Sequence, residues 1–252
     1  MRTLRTSAAF TPHRDVLRAI SLPGHGPIAV HLHGLGCHGA ASWAEVAALR
    51  GHPALLVDLP GHGRSDAPSG YDYTLPSLAR AVAALLDAQE PGRFEILGHS
   101  LGGAVAAHLA SLRPDLVERL VLVEPALDQA TPRPGDIADV PEGELDRDRW
   151  RTLLATETPW RRADMKLTDP IGLIRSARAL GDEHAARTSE LLLEAQTPAL
   201  VVSGDHREYH DENRFAEHHV SSIRISGAGH FVMNDEPEAF LAAVERFEAH
   251  TP

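Results

Sequence analysis

The stretch RFEILGHSLGGAVAAHLASL, residues 93–112, decides how this chain folds. Its first part, Arg93–Leu97, predicts a strand that runs into the Gly98 turn, whereas Gly102–Leu112 predicts a helix. Between them, GHSLG at 98–102 has the G-x-S-x-G pattern that places a serine on a sharp strand-to-helix turn. The two glycines leave room for the neighbouring backbone in such a turn. This context predicts that Ser100 is a nucleophile.

The alternation of strand and helix patterns continues on both sides of this stretch. Further strands are predicted at Pro27–His33, Ala54–Leu59, Arg119–Val123, Ala199–Ser203 and Ser222–Ser226. Further helices are predicted at Ser42–Leu49, Leu75–Gln89 and Pro237–Phe247. Strands that alternate with helices indicate an α/β fold with a mainly parallel sheet, covered by helices on both faces.

Residues 126–196 interrupt this alternation, because they have helical patterns without an intervening strand. An insertion of this kind lies over the carboxyl edge of the sheet, where ligands bind in α/β folds. We therefore predict a core made of residues 1–125 and 197–252, with residues 126–196 as a helical cap. Trp150 and Trp160 in the cap are candidates for substrate contact, and packing inside the cap is the equal alternative.

Composition excludes several classes of function. The chain of 252 residues has a formal net charge of −11 and lacks a basic block, so we expect no nucleic-acid partner. Cys37 is the single cysteine, which excludes an internal disulfide and a cysteine-based metal site. Neither a signal-type apolar run nor a membrane-spanning stretch is recognisable. We expect no membrane association and a cytoplasmic location.

Three glycine-rich motifs occur in a characteristic order. HGLG at 33–36, DLPGHGRSD at 58–66 and LGHSLGG at 97–103 resemble the α/β-hydrolase fold family in order and spacing. This resemblance implies a serine hydrolase that needs no metal and no organic cofactor. It also implies an oxyanion hole formed by backbone N–H groups of Leu101 and of Leu35, with Gly34 as the neighbour of Leu35.

Position identifies the catalytic base among sixteen histidines. His230 stands in GAGHF at 227–231, after the last predicted strand and before the last helix, which is where the resembled family carries its base. The chain order of serine, acid and histidine is then the family's order. His33 and His99 belong to the two glycine-rich turns, and we expect them to support those turns.

The acidic partner of His230 has two candidates. The family usually carries it two residues after Asp205, a position that holds Arg207 here, and a guanidinium would repel the imidazolium. Glu124 directly follows the strand Arg119–Val123, a placement known in haloalkane dehalogenases and zearalenone lactonases. We favour Glu124 and keep Asp205 as the alternative acid.

Two groups of histidines invite a metal-site interpretation. They are His31 with His33, and His206, His210, His218 and His219 beside Asp205, Glu208 and Asp211. Neither group has a recognised ligand spacing, so we predict no metal site.

These expectations combine into one function. We expect hydrolysis of a carboxylic ester or lactone of a medium-sized, partly hydrophobic small molecule, through an acyl-enzyme on Ser100. Serine rather than aspartate at this position disfavours the epoxide hydrolases and dehalogenases of the fold. Thioester or C–C bond hydrolysis with the same triad, and a slow-turnover ligand receptor on the same fold, remain the alternatives.

Overall fold

The computed structural model describes residues 4–127, 137–156, 158–205, 214–215 and 217–250. In this part of the chain, eight strands form one sheet in the order β1-β2-β4-β3-β5-β6-β7-β8. The strands are β1 (Ser7–Ala9), β2 (Val16–Leu22), β3 (Ala29–Leu32), β4 (Ala54–Asp58), β5 (Phe94–His99), β6 (Val117–Val123), β7 (Ala199–Ser203) and β8 (Val220–Arg224). Only the pairs β1–β2 and β2–β4 are antiparallel, so the predicted, mainly parallel sheet is confirmed.

Helices cover both faces of the sheet. They are α1 (Gly39–Arg50), α2 (Leu75–Asp87), α3 (Leu101–Leu112), α4 (Arg147–Thr156), α5 (Pro159–Met165), α6 (Pro170–Ala179), α7 (Thr188–Glu194), α8 (Val232–Asp235) and α9 (Pro237–His250). The helices α2, α3 and α7 contribute to the apolar core on one face. The helices α1, α8 and α9 contribute to a second core on the other face.

The central strands β3, β4 and β5 are buried along their whole length. Their side chains alternate between the two cores: Val30 and Leu32 belong to the first, and Ala29 belongs to the second. A strand with both faces covered is apolar at most positions, which explains why these strands were recognisable from their apolar residues. The buried polar exceptions are His31, Asp58, Glu95 and His99.

The first two strands were not predicted. In β2, residues Val16–Leu22, buried and partly exposed positions mix, so its sequence lacks the continuous apolar character of the central strands. Tertiary contacts hold this edge of the sheet instead. Arg18 forms an ion pair of 2.6 Å with Asp66, and the Val16 N–H donates to the Asp66 carboxylate at 2.8 Å. The loop that follows β4 therefore fastens the antiparallel edge.

The described part of the segment between β6 and β7 contains helices and turns and no strand. It contains α4, α5, α6 and α7, together with short 3-10 turns. Leu192 and Leu193 of α7 pack into the same core as α3. The last helix of the segment therefore packs with the sheet, and the division into a core and a separate cap at residues 126–196 stays a prediction.

The order of the strands positions the site. After β3 the chain moves to β4 on one side, and β5 then returns to the other side of β3. Loops that leave neighbouring strands in opposite directions open a crevice at the carboxyl edge of the sheet. The loop with Leu35 follows β3 and Ser100 follows β5, so both border this crevice.

Candidate active site

Ser100 occupies a strained turn between β5 and α3. Its φ of 51° and ψ of −112° lie outside the regions that most L-residues adopt. The backbone around it holds this conformation. The Ser100 N–H donates to the Val123 carbonyl at 2.9 Å, and the Ser100 carbonyl accepts from Gly103 at 3.0 Å and Ala126 at 3.1 Å. Strain that is maintained by surrounding contacts is characteristic of functional sites.

The two glycines of the motif are required by close packing. A Cβ on Gly98 would lie 2.5 Å from the Gly102 carbonyl oxygen, and a Cβ on Gly102 would lie 2.4 Å from the Leu32 carbonyl oxygen. Real Cβ atoms do not approach backbone oxygens this closely. A side chain at either position would therefore collide with the backbone, as the sequence pattern predicted.

The loop after β3 lies directly against the serine. A Cβ on Gly34 would be 3.3 Å from the Ser100 Cβ and 2.7 Å from Nδ1 of His99. Leu35 and Gly36 continue this loop, and Gly36 has a φ of 68° that favours glycine. On the other side of Ser100, Leu101 opens α3, so its N–H has no acceptor within its own helix. The predicted oxyanion donors thus belong to elements that meet at Ser100.

His33 holds the loop after β3 in place. The Leu59 N–H donates to its Nε2 at 3.0 Å, so Nδ1 carries the proton and donates to the Gly34 carbonyl at 2.8 Å. Complete burial lowers the pKa of His33 to about 4 and keeps the ring neutral.

His230 and Glu124 meet on the other side of the crevice. Nδ1 of His230 lies 3.5 Å from Oε2 of Glu124, whose side chain is 3% exposed against 45% for the histidine. The second carboxylate oxygen, Oε1, accepts from the Gly204 N–H at 2.7 Å. Glu124 itself has a φ of 45°. The carboxylate is therefore held by backbone while it faces the imidazole ring.

His99 joins the turn at Ser100 to the loop at 227–231 that carries His230, here called the histidine loop. Its Nε2 lies 2.9 Å from the His230 carbonyl oxygen, which can only accept, so Nε2 of His99 carries the proton. The two rings are 4.7 Å apart between centroids. Burial, with the neighbouring His230 as a second cause, lowers the pKa of His99 well below its usual value. His99 is thus neutral and holds the His230 backbone in place. Among the described residues, no hydrogen bond joins the Ser100 hydroxyl to His230.

Asp205 takes a different position. Its Oδ2 accepts from the Gly227 N–H at 2.7 Å, and its own N–H donates to the Ala228 carbonyl at 2.9 Å. The exposed Asp205 side chain therefore braces the start of the histidine loop. Arg207, together with His206, Glu208, His210 and Asp211 of the alternative metal group, lies outside the described residues.

The two tryptophans border different parts of the site. Trp150 packs at a small apolar cluster of Leu154, Met165 and Leu173, which Leu35 also touches. Trp160 is 49% exposed, and its ring meets Phe231 edge-on with centroids 4.7 Å apart. Neither tryptophan was predicted to have a particular neighbour, and both lie beside loops that carry proposed catalytic groups.

Two site-supporting residues were missed by the sequence analysis. Asp58, 4% exposed, accepts from the N–H groups of Gly39 at 2.9 Å and Arg64 at 3.0 Å, which ties the loops after β3 and β4 together. Arg161 of α5 donates to the Leu35 carbonyl at 3.0 Å. Asp58 was visible as the first residue of a quoted motif, whereas nothing in the sequence distinguished Arg161 from the other arginines.

A cluster of ionisable side chains also lies away from Ser100. Ligand atoms of His52, Glu95 and Glu248 come within 4.8 Å of one another. Nη2 of Arg50 contacts both carboxylates, at 2.5 Å for Glu95. The arginine already supplies the positive charge that these carboxylates require.

Among the described residues, no helix has both the length and the apolar character that crossing a membrane requires. The cytoplasmic location stays a prediction.

Comparisons with known proteins relate the chain to hydrolases. Residues 29–243 match the alpha/beta hydrolase family. Lipase LipV of Mycobacterium tuberculosis is 46% identical over 97 residues, which are 38% of this chain and 36% of that protein. A pimeloyl-[acyl-carrier protein] methyl ester esterase of Aeromonas salmonicida is 44% identical over 101 residues, 40% of this chain and 38% of that protein. The chain thus matches little more than a third of the length of these relatives.

A solved structure extends the likeness to nearly the whole chain. A hydrolase from Pseudomonas aeruginosa PA01 superposes with a TM-score of 0.78 at 27% identity, covering 96% of this chain and 97% of that one. The likeness therefore includes the strands on both sides of the helical segment.

Proposed function

This chain belongs to the alpha/beta hydrolase family, and we propose that it is a carboxylic ester hydrolase that uses Ser100 as its nucleophile. The observation that carries the proposal is the surroundings of Ser100. The serine is held at positive φ, a glycine loop lies against its Cβ, and a carboxylate-paired histidine packs on the adjacent His99. The lipase and esterase among the relatives support the same reaction class.

In the proposed mechanism, His230 accepts the proton of Ser100 as Ser100 Oγ attacks the ester carbonyl. With Nδ1 of His230 facing Glu124, Nε2 is the nitrogen available to the serine. Catalytic hydrogen bonds often tighten only when substrate binds, so an open Ser100–His230 contact is compatible with this role.

Glu124 acts as the acid of the triad in this proposal. Its buried carboxylate favours the tautomer with a proton on Nδ1 of His230 and stabilises the imidazolium that forms during attack. The Gly204 N–H fixes the carboxylate orientation. The Asp205 carboxylate accepts a hydrogen bond from the Gly227 N–H, which supports Glu124 as the acid.

The developing oxyanion is stabilised by the N–H groups of Leu101 and Leu35, with Gly34 giving the loop its close approach to Ser100. His230 then donates its proton to the leaving alkoxide. In the second half, water attacks the acyl-enzyme with His230 as base, and Ser100 is released with its proton restored. In this proposed mechanism, neither half of the reaction needs a metal or a cofactor.

For the substrate, we propose a medium-sized, partly hydrophobic ester, with lactones included as cyclic esters. The crevice is bordered by the apolar cluster around Met165 and Leu173 on one side and by Trp160 and Phe231 on the other. Within the predicted cap at 126–196, it is α4–α6 that supply this apolar border. Apolar walls with few polar groups are typical of small-molecule sites.

The test is hydrolysis of p-nitrophenyl acetate and butyrate by the wild type and by Ser100→Ala. We expect the substitution to abolish turnover, and Ser111→Ala, on the exposed far end of the same helix, to retain the wild-type rate. A fluorophosphonate should add one phosphonyl group to Ser100 with loss of fluoride, which intact mass measures. Negligible wild-type turnover together with tight ligand binding would favour the receptor alternative instead.

A further inference from the structure

Two adjacent arginines of α5 point to different partners. Nη1 of Arg161 donates to the Leu35 carbonyl at 3.0 Å and lies 3.1 Å from Sγ of Cys37. Arg162 donates from Nε to the Leu154 carbonyl at 2.9 Å and from Nη2 to the Ala155 carbonyl at 3.2 Å. The first arginine therefore links the helical segment to the loop after β3, whereas the second links two parts of the helical segment.

Other contacts dock α5 in the same place. Oδ1 of Asp164 lies 3.5 Å from Nε2 of His38, the residue that caps α1. The Met165 side chain packs so closely on Gly36 that a Cβ there would be 3.1 Å from its Cγ. The helix is thus also fastened to Gly36 and His38, which follow Leu35 in the same loop.

The loop that Arg161 contacts has a glycine on each side of Leu35. Leu35 stands between Gly34 and Gly36, and glycine leaves its backbone dihedrals nearly unrestrained. The Leu35 N–H belongs to the Gly34–Leu35 peptide group, whose carbonyl oxygen is held by His33. The charge-assisted hydrogen bond from Arg161 holds the next peptide group through the Leu35 carbonyl, so the two contacts together restrict the dihedrals of Leu35. Oxyanion donors are effective only when they are held in place before the charge develops.

We propose that Arg161 is a positioning residue that orients the Leu35 N–H toward the oxyanion by holding the Leu35 carbonyl. The second oxyanion donor then depends on a side chain of the helical segment, so that docking of α5 and readiness for catalysis are coupled. The guanidinium also brings a positive charge close to the turn, since Arg161 contributes to the lowered pKa of His99. The inference rests on the proposed ester hydrolysis by Ser100.

The test compares Arg161→Met with Arg162→Met in the full chain. Loss of one oxyanion donor lowers kcat by about 10²–10³-fold in serine hydrolases, so a misoriented donor should lower it by about 10–100-fold. We expect this loss for Arg161→Met, with KM changed by less than about threefold, and a kcat within about twofold of wild type for Arg162→Met. Equal kcat losses in both variants, or a change confined to KM, would overturn the positioning role.

Two further measurements separate positioning from folding. An aryl trifluoromethyl ketone forms an oxyanion on the serine, so its inhibition constant should rise by the same factor as kcat falls in Arg161→Met. Ethylguanidinium should restore part of kcat in Arg161→Ala and none in Arg162→Ala. Arg161→Lys, which retains a cationic donor, should show an intermediate loss of kcat. Absence of rescue by ethylguanidinium would count against the proposal, and so would a wild-type inhibition constant of Arg161→Met for the trifluoromethyl ketone.

Wild-type turnover and Ser100→Ala are measured in parallel. An inactive wild type would overturn both the proposed function and this inference. An active wild type whose Arg161 variants behave like the Arg162 variants would overturn the inference alone.

Discussion

Strand β5 has ionisable groups at both of its ends, and the two ends differ in what surrounds them. Glu95 and His99 point to the same face of the sheet, separated by Leu97 and by about 13 Å of strand. At the carboxyl end, His99 adjoins a strained serine and the half-exposed His230. At the amino end, Glu95 is 1% exposed and is enclosed by Arg50 and Glu248.

Shifted pKa values occur at both ends, so they do not identify the site. Burial, partly offset by Arg50, raises the pKa of Glu95, and burial lowers the pKa of His31 to about 3 at the same end. The carboxyl end is distinguished by access and strain. Ser100 and Glu124 both have positive φ there, and His230 is open to solvent. A reacting group needs access, whereas a buried ion pair needs only its partners.

The largest expected effect concerns the acid at the carboxyl end. Replacing Glu124 with Ala should lower kcat by about a thousandfold or more, because His230 loses the group that orients it and stabilises its charge. Among the described residues, the Asp205 side chain accepts from the Gly227 N–H, so Asp205→Ala should change kcat by less than about tenfold. Steady-state kinetics on p-nitrophenyl butyrate measures both, and a thousandfold loss confined to Asp205→Ala would reverse the assignment.

At the amino end, the same kind of substitution should affect stability instead. Glu95→Ala leaves the buried Arg50 with Glu248 as its remaining carboxylate, so it should cost less than the roughly 3–5 kcal/mol of a buried charge that loses its only partner. The kcat should stay within about twofold of wild type. Urea unfolding measures the loss, with Glu118→Ala as the control, because its partly exposed pair with Arg119 is worth at most about 1 kcal/mol. A large fall in kcat for Glu95→Ala at a temperature where it is folded would contradict the contrast.

The pH dependence of stability gives a third test at the amino end. The pKa of His31 is lowered to about 3 in the folded protein by burial, with Arg50 as a second cause. The unfolded chain therefore binds this proton more tightly. The contribution of His31 to stability is complete above pH 6.5 and is lost as the pH falls from 6.5 toward 3.

Replacing His31 with Leu should remove that part of the dependence. The slope of the unfolding free energy against pH, measured by urea titrations between pH 6.5 and 4, should decrease by about 1.4 kcal/mol per pH unit. At pH 7 the variant should not be strongly destabilised, since both ring nitrogens of His31 are buried without a hydrogen-bond partner. An unchanged slope would show that His31 is not a neutral buried group.

The smallest expected effect belongs to the border of the crevice. Trp160→Ala removes an edge-on aromatic contact with Phe231, which is worth about 0.5–1.5 kcal/mol. We expect KM for p-nitrophenyl butyrate to rise by about two- to tenfold and kcat to change little. A kcat loss beyond tenfold would mean that Trp160 positions His230 through Phe231. Helix α5 would then belong to the catalytic site rather than to its border.

Much of the fold could be predicted because its signals are local. The buried strands are short and rich in apolar residues, and β7 (Ala199–Ser203) was predicted with the bounds that the structure gives. Gly98 and Gly102 indicated the turn that Ser100 occupies, because only residues without a Cβ fit there. The antiparallel strands β1 and β2 were missed, because contacts from the loop at Asp66 hold them, and no periodic pattern of their own marks them.

The candidate site divides in the same way. The sequence by itself determined the turn at Ser100, the glycine loop at 33–36 and the placement of His230 after the last predicted strand, since each depends on residues that are neighbours in the chain. Which carboxylate faces His230 depends on the register of β6 against β7, which brings Val123 beside Val202 and so puts Glu124 at the Gly204 N–H. The contact of Arg161 with the Leu35 carbonyl spans 126 residues of sequence. Only the tertiary structure could decide these two, because a contact between distant segments leaves no periodic or local signal in either one.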